Sequence, residues 1–229
     1  MFRNDYSKTS DGAAAKVAFM NKDPLAYFVV SMLAGAYIGI GVLLAFTSGG
    51  LLTGLPYARI VMGLTFGVAL SLVVMAGAEL FTGNNLMIMG VLDRRISAGA
   101  MLRNWVIVYC ANFLGGLLIA LLGTWSGLFA SGGNLLGVMT IKIAAGKVGL
   151  SFGKAVVLGF LCNWLVCLAV WCGFRAKSDA GKLLMVFWCL LAFFATGFEH
   201  SIANMTLLTL ALINNGGNEA ISMGGYWFN

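Results

Sequence analysis

Gly197-Phe198-Glu199-His200-Ser201-Ile202-Ala203-Asn204 interrupts an apolar run that extends from Leu183 to Ile213. The run is about 31 residues, roughly 46 Å if helical throughout, whereas a bilayer core needs only about 20 residues. His200 is the only histidine in 229 residues. Two ionisable groups in the middle of an overlong span are costly in lipid, and by default they mark a functional site. The plain alternative is a side chain that snorkels from near a helix end.

The rest of the chain is in keeping with a membrane setting. Hydrophobic residues make up 60% and charged residues 10%, and the mean hydropathy is +0.93. Soluble domains carry about 25% charged residues, so the chain reads as an all-α integral membrane protein. The formal charge of +6 falls on loops, with no basic run interleaved with aromatics, which excludes nucleic acid as a partner. Cys110, Cys162, Cys167, Cys172 and Cys189 all fall inside apolar runs. They read as small packing residues, not a disulfide framework or metal site. No cofactor and no metal are called for.

Outward from the central stretch, residues 1–23 form a polar tail. Ala13, Ala14, Val17, Ala18 and Phe19 recur there at helical spacing beside Lys16 and Lys22, which predicts an amphipathic helix at the membrane surface. Residues 24–229 are read as the transmembrane domain. Pro24 opens a span over 24–46 with a close-packing Gly35-x-x-x-Gly39. An overlong run from Arg59 to Leu92 carries Glu79. The third span, 102–123, holds Asn112 and Gly115-Gly116. Residues 124–153 read as a glycine-rich connection with Lys142 and Lys147. The fourth span is 155–173, with Asn163. The basic residues of the tail, of the loop at Arg94 and Arg95, and of the loop at Arg175 and Lys177 share one side if the spans alternate. Positive-inside bias then puts the N-terminus in the cytoplasm.

The two overlong runs repeat each other. Glu79-Leu80-Phe81-Thr82-Gly83-Asn84 lines up with Glu199-His200-Ser201-Ile202-Ala203-Asn204, each with glycine two residues before the glutamate. One run goes inward and the other outward. This is the pattern of an inverted repeat whose broken helices meet near the midplane, where unwound backbone needs protein or a water-filled cavity around it.

Broken helices present free backbone N–H groups, which favour anions. Lys147 is placed to concentrate an anion at a mouth. Thr82, Asn163 and Asn204 are polar groups in dry spans that either bind an ion shedding water or join helices. Phe66, Phe193, Leu80, Phe81 and Val166 form pore constrictions if stacked, and lipid-facing filler if not. His200 is the one group able to exchange a proton near neutral pH. No nucleophile–histidine–acid set is present, so an enzyme is not indicated.

The chain resembles the formate/nitrite transporter family, most of all its nitrite-channel branch, over nearly its whole length. The carriers are Ala34-Gly35-Ala36-Tyr37-Ile38-Gly39, Gly77-Ala78-Glu79-Leu80-Phe81-Thr82-Gly83, Cys162-Asn163-Trp164-Leu165-Val166-Cys167-Leu168-Ala169-Val170-Trp171 and Gly197-Phe198-Glu199-His200-Ser201-Ile202-Ala203-Asn204-Met205. The resemblance implies an aquaporin-like bundle with two broken helices in a homopentamer of the bacterial cytoplasmic (inner) membrane. It implies that small monovalent anions (nitrite, formate or hydrosulfide) and protons pass through a pore in each protomer. By position, His200 matches the central pore histidine and Glu199 its acidic neighbour. Thr82, Asn163 and Asn204 match pore polar groups. Phe66 and Phe193 match the outer constriction, Leu80, Phe81 and Val166 the inner one, and Lys147 the outer-vestibule lysine. A gas or ammonia conductor, or a non-transporting membrane sensor, stays open beside this. The family has a sixth span after the fifth run, whereas five are visible here. The natural product is therefore expected to continue, with an exposed groove beside the broken fifth helix. A true five-span protein is the alternative.

Overall fold

The structure is a computed structural model that describes residues 2–130, 133–215, 221 and 223–228. The described residues form helices α1 Arg3–Lys22, α2 Pro24–Leu51, α3 Ala58–Ala76, α4 Phe81–Asn84, a 3-10 turn Asn85–Met87 and α5 Ile88–Leu92. They continue with α6 Ala98–Trp125, α7 Leu135–Val148, α8 Phe152–Arg175, α9 Asp179–Thr196, α10 Ser201–Ile213 and α11 Met223–Phe228. Five of the described helices are long and apolar enough to cross a membrane: α2, α3, α6, α8 and α9. They correspond to the five runs read from the sequence.

The helix starts follow local chemistry. The Asp23 side chain accepts from Ala26 N (2.9 Å) just before Pro24 at the start of α2. Ser97 and Ser178 accept from Ala100 N and Gly181 N to open α6 and α9. Each such cap satisfies a backbone donor that the helix leaves orphaned.

The overlong runs break where the repeat predicts. α3 ends on Gly77 at φ +77°, and α9 ends on Gly197 at φ +82°. That backbone region is nearly closed to residues with a Cβ. The chain then crosses four residues and resumes as α4 or α10. The two breaks are wired alike. Ala78 N bonds Val73 O and Phe198 N bonds Phe193 O, while Glu79 N reaches Val30 O on α2 and Glu199 N reaches Leu158 O on α8.

Asn112 on α6, fully buried, clamps the first break. Its Oδ1 accepts from Phe81 N (2.9 Å), and its Nδ2 donates to Ser31 O (2.7 Å) and Glu79 O (2.9 Å). Asn112→Leu leaves one backbone donor and two acceptors without this partner. We expect a loss of about 3 kcal/mol, read as a lower midpoint for thermal unfolding in detergent.

Three features differ from the sequence expectations. The tail helix α1 spans the whole tail and docks on the protein itself, against α5, α8, α2 and α6. Arg95 pairs with Asp11, Arg175 with Asp5 (3.3 Å), and Arg103 donates to Asn21 (3.1 Å). These ties gather α1 and two basic loops at one end. Second, residues 124–153 are not merely a connection. They contain α7, which buries Leu136, Gly137, Thr140 and Ala144 against α2 and α10. Third, α10 is not flanked by an open groove: Asn204 through Ala211 are buried, between α6, α2 and α7, with α11 adding the Tyr226–Thr209 hydroxyl pair at 3.0 Å. The sequence reads Tyr226-Trp227-Phe228 as an aromatic group suited to a membrane interface; the side chains of Trp227 and Phe228 lie outside the described residues.

Candidate functional site

The two breaks face each other across a dry centre. A cavity of about 380 Å³ opens on the α7 side, lined by Arg59, Lys142, Lys147, Glu199, His200 and Asn204 among others. A cavity of about 500 Å³ opens on the α1 side, with Lys16, Glu79 and Asn84 in its wall. Between them Ile38, Phe66, Leu70, Leu80, Val166, Leu190, Phe193 and His200 close together, leaving no room for a water molecule.

His200 sits at the bottom of the α7-side cavity and is 4% exposed. Its Nδ1 accepts from Ala203 N (3.1 Å) and so caps α10. A ring nitrogen that accepts carries no proton, which leaves the hydrogen of the neutral ring on Nε2. Nε2 faces Thr82 Oγ1 at 3.4 Å. The ring stacks on Phe193, with centroids 5.6 Å apart and planes at 22°, and Phe193 meets Phe66 edge-on at 5.8 Å. A hydrogen-bond donor is thus held by a helix cap inside an apolar constriction.

Charge surrounds the constriction in matched sets. Lys147 pairs with Glu199 Oε2 at 2.6 Å, and Asn204 Nδ2 donates to the same oxygen at 2.7 Å. On the other side Lys16 pairs with Glu79 and donates to Asn84 Oδ1 at 2.9 Å. The repeat therefore includes the helices that precede each half: α1 before α2 supplies Lys16, and α7 before α8 supplies Lys147. The α1-side set is further tied. Tyr27 OH lies 3.3 Å from Glu79, Asn104 Nδ2 donates to Tyr27 OH at 2.6 Å, and Asn84 Nδ2 donates to Asn104 at 3.0 Å. Where Glu199 is followed by His200, Glu79 is followed by Leu80, and both of these neighbours stand in the constriction. Each mouth carries a lysine–glutamate pair, while among the residues that close the constriction His200 alone has a polar side chain.

Most of the residues singled out from the sequence meet here. His200, Phe66, Phe193, Leu80 and Val166 build the constriction, and Lys147, Glu199 and Asn204 form the polar set above it. Thr82 touches His200. Asn163 stands one step away. Its Nδ2 donates to Cys167 Sγ (3.5 Å), whose thiol in turn donates to Thr82 O (3.6 Å), and Asn163 Oδ1 is buried without a partner among the described residues. Phe81 does not line either cavity or the constriction. Its ring packs edge-on against Trp105 and Tyr109 of α6 (6.3 and 5.0 Å), because a side chain next to Leu80 at the start of α4 points to the opposite side. The sequence reading missed Ile38, Leu70 and Leu190 in the constriction, since apolar residues in apolar spans carry no distinguishing mark. It also left out Lys16 and Asn84, although Asn84 is the repeat partner of Asn204.

Known proteins are similar to this chain in sequence and in fold. The sequence model described as "Formate/nitrite transporter" matches residues 4–229. The nitrite transporter NirC of Escherichia coli K12 is 42% identical over 237 aligned residues, covering 100% of this chain and 84% of that protein. The formate channel FocA of the same strain is 34% identical, covering 92% of this chain and 76% of its own length. Among solved structures, an "FNT family ion channel" superposes with a TM-score of 0.92 at 37% identity, covering 100% of this chain and 90% of the other. A "Pentameric formate channel with formate bound" gives 0.78 at 31% identity, covering 90% and 80%. With a family match across nearly every residue and the fold reproduced in solved members, this all-helical integral membrane protein belongs to the formate/nitrite transporter family.

Proposed function

We propose that the chain conducts a small monovalent anion through a pore within its own protomer. In this reading five protomers form a homopentamer in the bacterial cytoplasmic membrane, with α1 on the cytoplasmic side, and the chain is not an enzyme. Nitrite is the favoured cargo, ahead of formate and hydrosulfide, because identity to the nitrite transporter exceeds identity to the formate channel. One observation carries the reading: His200 Nε2–H lies in a dry constriction between two cavities that each present a lysine–glutamate pair.

The geometry supports a sequence of events. An anion enters the α7-side cavity, where Arg59, Lys142 and Lys147 outnumber Glu199 and bias the local potential in its favour. At Phe66 and Phe193 it sheds water, and a bare charge there is costly. The Nε2–H of His200, with the Thr82 hydroxyl beside it, supplies hydrogen bonding at that depth. Crossing as the neutral acid removes most of the remaining cost. The ring gives up a proton without becoming an anion only if both nitrogens are protonated, so proton linkage through His200 requires Nδ1 to release Ala203 N. Protonation of Nδ1 thus opens the α10 cap before the ring can hand its Nε2 proton to the anion, and the cap re-forms only when Nδ1 loses its own proton.

Counterflow in proteoliposomes with nitrite, formate, hydrosulfide and ammonium tests this reading. Anion exchange with ammonium excluded supports it. Ammonium flux alone indicates a neutral-gas conductor, and no flux of any kind indicates a sensor.

The lysine–glutamate pair yields a further expected result. Lys147→Gln leaves Glu199 as an uncompensated negative charge at the mouth, which is more harmful than losing both charges. Nitrite uptake should fall about tenfold, and Lys147→Gln combined with Glu199→Gln should recover part of it. Initial uptake rates of the wild-type chain, of Lys147→Gln and Glu199→Gln alone, and of the double variant check this; an additive double variant contradicts the coupling.

A further inference from the structure

We propose that Arg59 forms a docking site for planar oxyanions at the α7-side mouth, and so helps to select bent O–X–O anions over hydrosulfide. The inference deepens the anion-conduction reading and rests on it.

Arg59 lies in the first turn of α3, is exposed, and lines the same cavity as Lys142, Lys147, Glu199 and His200. Its Nη1 stands 3.3 Å from the position that a Cβ on Gly197 would take. Because Gly197 has no side chain, the guanidinium can lie directly against the break between α9 and α10. The carbonyl end of α9 is there, and a cation is favoured at a helix C-terminus. Lys147 is committed to Glu199. The Arg59 side chain makes no hydrogen bond or ion pair among the described residues, so its fork remains available to a ligand. The guanidinium fork presents two parallel N–H groups that match two oxygens on one atom, as in nitrite or formate. Hydrosulfide offers a single sulfur and cannot span the fork. Lysine in the same place keeps the charge and loses the fork.

The test is the concentration dependence of initial uptake of nitrite, formate and hydrosulfide into low-salt proteoliposomes of the wild-type chain, Arg59→Lys and Arg59→Gln. Oligomer size in detergent is the control for folding. Arg59→Lys should raise the half-saturating concentration of nitrite and formate about fivefold and leave hydrosulfide within about twofold. Arg59→Gln should weaken all three anions. A charge that merely caps α9 would be preserved by lysine, so an Arg59→Lys variant that shifts none of the anions, or all three alike, overturns the site while leaving conduction standing. A wild-type chain that moves none of the three anions overturns both.

Discussion

Replacing His200 with phenylalanine is expected to abolish anion flux while leaving the oligomer intact. The ring of His200 is stacked on Phe193 and almost fully buried, and phenylalanine is similar in size and shape, so the packing of the constriction should survive. What disappears is Nε2–H, the donor that faces the dry centre. An anion crossing without it loses a hydrogen bond to a charged group where no water substitutes, which corresponds to at least about a hundredfold in rate. Phenylalanine also removes the Nδ1 cap from α10, at about 1 kcal/mol, which the burial of α10 should absorb. His200→Asn separates the two roles, because asparagine caps helices well and donates a hydrogen bond but exchanges no proton. If His200→Asn conducts and loses its dependence on the proton gradient, the histidine is the proton link. If it conducts with that dependence intact, the proton travels by another route. Wild-type nitrite flux in His200→Phe would refute the role of His200 altogether.

The parts of this site that were legible in the sequence are those where membrane chemistry leaves no cheap alternative. Glu79, Glu199 and His200 stand out because a charge or an imidazole in an apolar run needs a reason, and the shared glycine two residues earlier exposed the repeat. The phenylalanines and Val166 gained their roles only by resemblance. Nothing in composition separates Phe66, which faces the constriction, from Phe81, which packs on Trp105 and Tyr109. The unwound residues at each break reset the helical phase, so face assignment by counting fails just past them. α7 was hidden for another reason. Gly137, Gly146 and Gly149 suggested a loop, yet burial against α2 and α10 outweighs the helix propensity that glycine forfeits. Lys16 went unrecognised because the tail looked like a surface helix. Its counterpart is another helix that lies before a span, and only the folded chain puts both lysines beside the two glutamates.

The second large effect is expected at Gly115. The sequence marks Gly35 and Gly115 as small residues suited to close helix contact, and in the fold they serve each other's helix. A Cβ on Gly35 would stand 1.9 Å from Asn112 O, and one on Gly115 would stand 1.9 Å from Met32 O. Both obstacles are backbone atoms, so no rotamer change relieves them, and α2 and α6 must move apart. This is the most extensive helix pair among the described residues. Gly115→Ala should therefore destabilise by about 3 kcal/mol or more, lowering the unfolding midpoint in detergent by roughly 10 °C. Gly153→Ala is the matched control, because a Cβ there meets nothing within 4 Å, and its midpoint should be unchanged or slightly higher. The damage should also reach the pore. Asn112 lies one helical turn before Gly115 and holds Phe81 N and Glu79 O, so an outward shift of α6 pulls on the first break and on Leu80 in the constriction. Residual Gly115→Ala protein that still forms oligomers should conduct poorly at temperatures where it remains folded. Normal flux together with a lowered midpoint would show that the α2–α6 contact supports the fold without setting the pore.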